Sequence, residues 1–307
     1  MEKTRKNKEA ELSLKTIAIM SPGSMGSAVG KAIKSHGFSV ISSLEGRSKR
    51  TKQLAQAAGI EDVGNLSNLV QNSDLILSIL VPSEAHQFAE KISHALKNTN
   101  SKVIFADCNA ISPDSTRQIG NTIISSGGDF IDGGIIGGPP SEKDSPRFYV
   151  SGPNAVQMTK LDGKGIAVKF IDENIGSASA MKMCYAALTK GTSTLHIALL
   201  AAAEMLGVSN ELELELEYSQ RDTLNKMSTG ISRIPSNAHR WIGEMDEIAS
   251  TFKSVGVPQG FHQGAAEIYR LLNKTDFANE TPETIDNSRT TKQTIRELTK
   301  FLNTEKG

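Results

Sequence analysis

From Thr16 onward, short apolar runs alternate with longer amphipathic stretches. Ile17–Met20 is one such run; small residues follow at once, and then a helical pattern extends to Ser35. Gly37 is placed to end that helix, and residues 39–44 read as a second strand, with a helical stretch over 49–58 behind it. Residues 75–81 are almost wholly apolar, the mark of a strand buried on both faces. Residues 103–106 and 130–135 behave alike, with helical segments over 83–96 and 113–125, and 148–150 and 167–170 read as late strands. Strands alternating with helices predict an α/β unit built on a parallel sheet with right-handed crossovers.

After Gly176 the strand signals stop. Residues 177–206 are rich in Ala, Leu, Met and Lys, and Gly207 is placed to end them. A helix of that length runs ~45 Å, which suits a connector between domains or part of a dimer interface. Gly191 interrupts it and marks a candidate bend. The remainder reads as helices separated at 230–236, 256–260 and 275–281. Glu211–Glu217 alternates Glu and Leu with the period of a strand, but Asn210 as a cap and the helical surroundings favour a helix. The fold class expected is therefore α/β, a nucleotide-binding domain of Rossmann type over 15–175 followed by an all-α domain over 176–307. Residues 1–14 are charged and aperiodic and read as a flexible tail.

The chain's 34 basic and 34 acidic side chains cancel, which argues against a nucleic-acid binder relying on a global positive field. No apolar run approaches the ~18 residues of a membrane span, and the N-terminus has no apolar signal core. Cys108 and Cys184 make neither a disulfide framework nor a metal cluster. A cytoplasmic protein acting on a small molecule, with no metal, is the expectation.

Candidate chemistry begins at Ser21-Pro-Gly23-Ser24-Met25-Gly26. Against the fingerprint G-x-G-x-x-G, the second and third glycines are present and the first is Ser21. The second lets the backbone approach a pyrophosphate, and the third lets the helix pack on the strand. The helix amides then face phosphate oxygens. After the second strand the run is Glu45-Gly46-Arg47-Ser48-Lys49-Arg50. Arg47 and Arg50 can pair with a 2′-phosphate and Ser48 can donate to one, so NADP is favoured; Glu45 keeps NAD open, since an acid there binds the ribose hydroxyls.

At five stations in order, the sequence resembles the β-hydroxyacid dehydrogenase family, the 3-hydroxyisobutyrate dehydrogenases and relatives of 6-phosphogluconate dehydrogenase. The stations are Ile19–Gly26, Leu80-Val81-Pro82, Asp107–Pro113, Asp132–Gly138 and Gly176–Lys182. The resemblance implies that Leu80, Val81 and Pro82 lie along the cofactor, and that Asn109 touches substrate or nicotinamide. It further implies that Ile136, Gly137 and Gly138 form a substrate loop and that Lys182 is the catalytic acid/base. Such a lysine, desolvated beside a cationic nicotinamide, has its pKa lowered into a usable range. Lys190, two turns on, reads as a surface or interface residue, and His196 as packed within the helix.

Departures bear on the substrate. Ala186 stands where the family usually has Asn, with Tyr185 before it; Ile136 replaces a usual Ser, and Asn109-Ala110 a Ser-Thr pair. The C-terminal half, with His239-Arg240-Trp241 and Glu244 ahead of Phe261-His262, resembles the subgroup whose C-terminal domain has no assigned function. Glu244 stands in the place of the family's second lysine and would favour a cation, an amine or a hydroxyl donor, whereas Arg240 could still bind an anion. Trp241 and His262 are candidates both for core and for a substrate contact. The overall expectation is an NADP-dependent oxidoreductase interconverting a hydroxy acid or related alcohol with its carbonyl compound, as a homodimer. The alternatives are an imine reductase-like enzyme, with Tyr185 as proton donor, and a non-catalytic NADP-binding sensor.

Overall fold

A computed structural model describes residues 14–142, 144–281 and 283–303. The apolar runs become β1 (Thr16–Met20), β2 (Ser39–Ser42), β4 (Leu75–Ser78), β5 (Ile104–Asp107), β6 (Asp129–Ile136), β7 (Arg147–Ser151) and β8 (Ala167–Phe170), joined by the short β3 (Glu61–Asp62). Together they form one sheet ordered β3-β2-β1-β4-β5-β6-β7-β8. Pairing is parallel except between β6 and β7, where Ile136 faces Arg147. Between the strands run α1 (Ser24–Ser35), α2 (Lys49–Ala57), α3 (Leu66–Asn72), α4 (Ala85–Thr99) and α5 (Pro113–Ile124).

Apolar burial holds this unit together. β1, β4 and β5 are inaccessible along nearly their whole length, and Phe105 sits between Phe88 and Phe130 at centroid distances of 6.0 and 6.2 Å. A fully buried Phe of this kind contributes about 1.5–3 kcal/mol. Leu14, expected in the tail, is 8% exposed and joins this core. The rest of that expected tail, residues 1–13, lies outside the described residues.

Two elements here escape sequence patterning. β3 is two exposed acidic residues at the sheet edge, paired to Ile41 and Ser42. α3 has seven residues, too few for a period to register, and its start is fixed by Asn65 accepting from the Asn68 amide at 2.9 Å. β4 also stops earlier than the apolar run suggests. The Ile79 N–H donates back to the Met20 carbonyl, and the Leu80 N–H leaves the ladder for the Asn109 side chain.

The second half of the chain is helical: α6 (Ser177–Leu206), α7 (Ser209–Ser219), α8 (Arg221–Gly230), α9 (Pro235–Ser254), α10 (Gly260–Leu272) and α11 (Thr291–Asn303). α6 is continuous through Gly191. The missing Cβ admits the Phe261 ring, whose Cε1 would lie 3.0 Å from an added methyl. Gly207, at φ +75°, ends the helix in the left-handed region. The Glu/Leu alternation forms α7, with Leu212 and Leu216 half-buried one turn apart and Leu214 exposed between them. Helix α7 starts one residue before Asn210 and carries no side-chain cap.

The chain divides into two compact units. One holds the described residues up to Leu80 together with 84–109 and 115–179; the other holds 81–83, 110–114 and everything from Ala180 on. The helical unit has its own core, including Met183, Ile197, Met245, Ile248, Tyr269 and Leu298. Among the described residues no helix is long and apolar enough to cross a membrane.

Candidate nucleotide and lysine sites

The glycine turn follows β1 directly. Gly23 is the N-cap of α1, with φ −73° and ψ −162°, a backbone any residue adopts. Nothing lies within 4 Å of where its Cβ would stand. Neither conformation nor internal packing therefore demands glycine at 23; open space beside the first amides of α1 is what remains, and a pyrophosphate fits that space. Gly26 is the opposite case, since an added Cβ would lie 2.5 Å from the Ser21 carbonyl oxygen. Ser21 accepts from the Gly23 N–H at 2.7 Å, Met25 packs on the core, and the exposed Ser24 hydroxyl accepts from Arg50 Nη2 at 3.0 Å.

Beyond β2 lies a cavity of about 370 Å³ whose walls include Ser43, Glu45, Gly46, Arg47, Leu80 and Lys91. Arg47 and Glu45, the two residues that argue for different dinucleotides, thus line the same cavity. Lys91 was not anticipated; it reaches the cavity from α4 one turn after Gln87, which lines it too. Ser48 has a prior commitment, because it caps α2 by accepting from the Thr51 N–H at 3.2 Å. Val81 and Pro82 group with the helical unit rather than with Leu80; there an added Cβ on Gly243 would lie 3.7 Å from Pro82.

Asn109 corrects an expectation. It is 2% exposed, and its two amide protons go to Ser78 Oγ and Asp107 Oδ2, each at 3.0 Å, while its oxygen accepts from the Leu80 N–H at 2.5 Å. It braces the ends of β4 and β5 rather than presenting an amide to a ligand. Ile136 is likewise buried, at 2% exposure. Gly137 and Gly138 behind it are exposed, Gly137 with φ +112°.

Asp132, within the same glycine-loop segment, holds a role the sequence did not signal. Its carboxylate accepts from Ser151 Oγ, the Gly176 N–H and the Ser179 N–H at 2.9–3.1 Å, and from Ser179 Oγ at 2.5 Å. Burial pushes this carboxyl above the usual range, and the donors pull against that rise. The first turn of α6 is thereby stapled to β6.

The helical unit gathers its charge around two lysines of α6. Lys190 Nζ lies 2.6 Å from Glu244 Oε2, with side-chain exposures of 13% and 10%. Lys190 also stands over the Trp241 ring at 5.5 Å, and Arg240 approaches the same ring at 5.9 Å. Trp241 packs on the helical core with its edge toward Tyr269 at 5.4 Å, and the Tyr269 hydroxyl donates to the Lys190 carbonyl at 3.1 Å. Burial, then the field of Glu244, holds the Tyr269 phenol well above its ordinary value. Lys182 is drawn down to about 8, chiefly by desolvation and next by the charge of Lys190; Glu244 opposes that fall and Arg240 adds to it.

Two expectations change here. Lys190 is a half-buried ion-pair partner rather than a surface residue, and Glu244, answered by Lys190 inside the chain, is not an open acid awaiting a cationic substrate. Arg240 is exposed and doubly hydrogen-bonded to Asn237 Oδ1, and Tyr185 is 42% exposed on α6. His262 is buried between Phe252 and Phe261, at 4.3 and 5.2 Å, with no partner for Nδ1. Burial holds its imidazole below the ordinary value.

Comparison with known proteins agrees with this division. Residues 16–161 match the NAD binding domain of 6-phosphogluconate dehydrogenase, and residues 203–272 match a domain of unknown function. An uncharacterized 28.5 kDa protein of Methanothermus fervidus is 29% identical over 58% of this chain and 66% of its own length. The mitochondrial 3-hydroxyisobutyrate dehydrogenase of Drosophila melanogaster is 29% identical over 52% of this chain and 46% of its own. In both cases the match spans less than two thirds of the relative. Among solved structures, the Mycobacterium tuberculosis 3-hydroxyisobutyrate dehydrogenase with L-serine aligns over 93% of this chain and 99% of its own, with TM-score 0.65 and 17% identity. An imine reductase of Streptomyces aurantiacus aligns over 92% and 99%, with TM-score 0.52 and 14% identity. These two likenesses establish a shared fold.

Proposed function

From a chain of the β-hydroxyacid dehydrogenase family, in which the NAD-binding domain of 6-phosphogluconate dehydrogenase precedes a domain of unknown function, we propose an oxidoreductase that uses NADP to interconvert a hydroxy acid or related alcohol with its carbonyl compound. What supports this reading is Lys182 of α6, whose amine is drawn down to about 8 by desolvation and next by the charge of Lys190. A nicotinamide dinucleotide, when bound, supplies or accepts the hydride. The chain's own part is to bind, to orient and to move a proton. The α1 amides behind Gly23 take the pyrophosphate, and Arg47 takes the 2′-phosphate. Lys182 as the neutral amine removes the hydroxyl proton, and as the ammonium it returns that proton to the carbonyl oxygen and stabilises the alkoxide. A value near 8 keeps both forms populated at neutral pH and above.

Replacing Lys182 by Ala is expected to lower turnover ~10²–10⁴-fold while NADPH affinity, read by fluorescence, stays within a few-fold. Unchanged turnover removes the assignment. A panel of keto acids, aldehydes and imines separates the carbonyl reading from imine reduction, and binding without turnover across the panel indicates a sensor. Replacing Arg47 by Ala is expected to weaken NADPH roughly 10–100-fold through loss of a charge-assisted contact, with little effect on NADH; equal losses overturn the preference for NADP. Leu188, Leu195 and Leu206 are 67%, 52% and 76% exposed on α6, and their spacings of seven and eleven residues fall on one helix face, which supports a homodimer.

A further inference from the structure

One side of the cavity beyond β2 is a helix face. Glu84, the residue before α4, lines it together with Gln87, Phe88 and Lys91. Their spacing of i, i+3, i+4 and i+7 is a single stripe along a helix. Phe88 is 4% exposed and packs on Phe105, so the stripe sets one buried ring among three exposed polar side chains. Glu84 and Lys91 are ~10 Å apart along the axis, which keeps them from pairing with each other. Among the described residues neither stands in an ion pair, and Lys91 Nζ donates to Gln87 Oε1 at 3.5 Å. The volume, about 370 Å³, falls in the range of small-ligand pockets, roughly 300–1,000 Å³.

We propose that this stripe reads the base of the dinucleotide, with Glu84 as the residue that selects adenine and Lys91 as a donor to a ring nitrogen. The inference rests on the dinucleotide reading above. That reading puts the pyrophosphate on the α1 amides and the 2′-phosphate on Arg47, which leaves the α4 side of the same cavity for the base. Adenine presents an amino donor beside ring-nitrogen acceptors. A carboxylate only accepts and an ammonium only donates. Glu84 therefore suits the amino group and Lys91 a ring nitrogen, and neither can reverse its polarity. Gln87 between them can turn its amide either way, so it binds without choosing. Hypoxanthine carries a carbonyl oxygen in place of the amino group, and opposite Glu84 that sets acceptor against acceptor. Both bases are neutral, so a carboxylate acting through its field alone does not separate them.

The test compares binding of NADPH and of its analogue with hypoxanthine in place of adenine to the full-length protein, read by nicotinamide fluorescence. The parent is expected to bind the adenine form at least ~10-fold more tightly. In Glu84→Gln the side-chain amide can donate to the carbonyl oxygen, and the two affinities are expected to come within about 2-fold of each other. Glu90→Gln changes an exposed carboxylate of α4 that does not line the cavity, and is expected to keep the parent's ratio. Lys91→Met is expected to weaken NADPH and NADH alike, by about 3–10-fold. A loss confined to NADPH would assign Lys91 to the 2′-phosphate and overturn its part. A parent ratio near one, or equal shifts in Glu84→Gln and Glu90→Gln, overturns the role of Glu84. The replaced side chains are all exposed, so the variants leave the core intact. Failure of the dinucleotide reading looks different: no form binds, and both claims fall together. NADPH bound no better than its hypoxanthine analogue sinks this inference alone.

Discussion

Gly23 and Gly26 stand three residues apart in one turn and are glycine for different reasons. At Gly26 an added Cβ meets a backbone oxygen at 2.5 Å, which no rotamer change relieves. Gly26→Ala is therefore expected to destabilise by about 1–3 kcal/mol, the ordinary cost of overpacking, in a urea titration. Gly23→Ala meets nothing within 4 Å; its stability is expected to stay within about 1 kcal/mol of the parent, while NADPH binding weakens because the methyl occupies the phosphate approach. A Gly23→Ala protein that unfolds early and binds normally would reverse the two roles. This turn is legible in the sequence because close backbone approach requires glycine whatever surrounds it. Asn109 and Glu244 are not legible in the same way. Both are polar residues beside motif positions, and only the fold shows that Ser78, Asp107 and Leu80 satisfy the one, and Lys190 the other.

Among the elements, α6 depends most on a single distant side chain. Ser179 in its first turn gives an amide and a hydroxyl proton to Asp132, Gly176 just ahead of the helix gives a second amide proton, and Ser151, which donates to the same carboxylate, accepts from the Ala178 N–H at 3.0 Å. Asp132→Asn keeps one acceptor and is expected to cost about 1–3 kcal/mol; Asp132→Ala strands several buried donors and is expected to cost more. Denaturation of both variants checks that order, and equal stabilities would mean that water replaces the carboxylate. Long periodic elements such as α6 were legible from composition, and α7 from its surroundings. β3 and α3 were not, because two residues at a sheet edge and seven in a capped turn carry too little pattern. The end of β4 was also hidden, since apolar residues continue past Ile79, still bonded to Met20 of β1, to Leu80, whose N–H leaves the ladder for Asn109.

At the scale of the whole molecule, the histidines with shifted proton affinity all lie in the helical unit. The sequence showed where strand signals stop, and hence the α/β and all-helical halves, because periodicity is a local property. It could not show where burial would fall on the histidines. His196, His239 and His262, all in the helical unit, are held below the ordinary imidazole value, each first by burial. The unfolded chain takes up protons as pH falls through ~6.5, while these native imidazoles resist. The unfolded state then binds more protons than the native state, and stability falls with pH in that window. Asp172, Glu204 and Asp286 are held below the carboxylate range by their hydrogen bonds; their contribution stays intact above ~4 and is lost only below it. Thermal melts between about pH 7 and about pH 5.5 therefore carry the histidines' contribution, with the raised Asp132 carboxyl acting in the opposite direction. His262→Phe fills the slot between Phe252 and Phe261 and removes the buried Nδ1 that lacks a partner. It is expected to raise the melting temperature and to flatten its decline on acidification, most visibly in the helical unit. Parallel pH slopes for variant and parent would assign the decline to His196 and His239 instead.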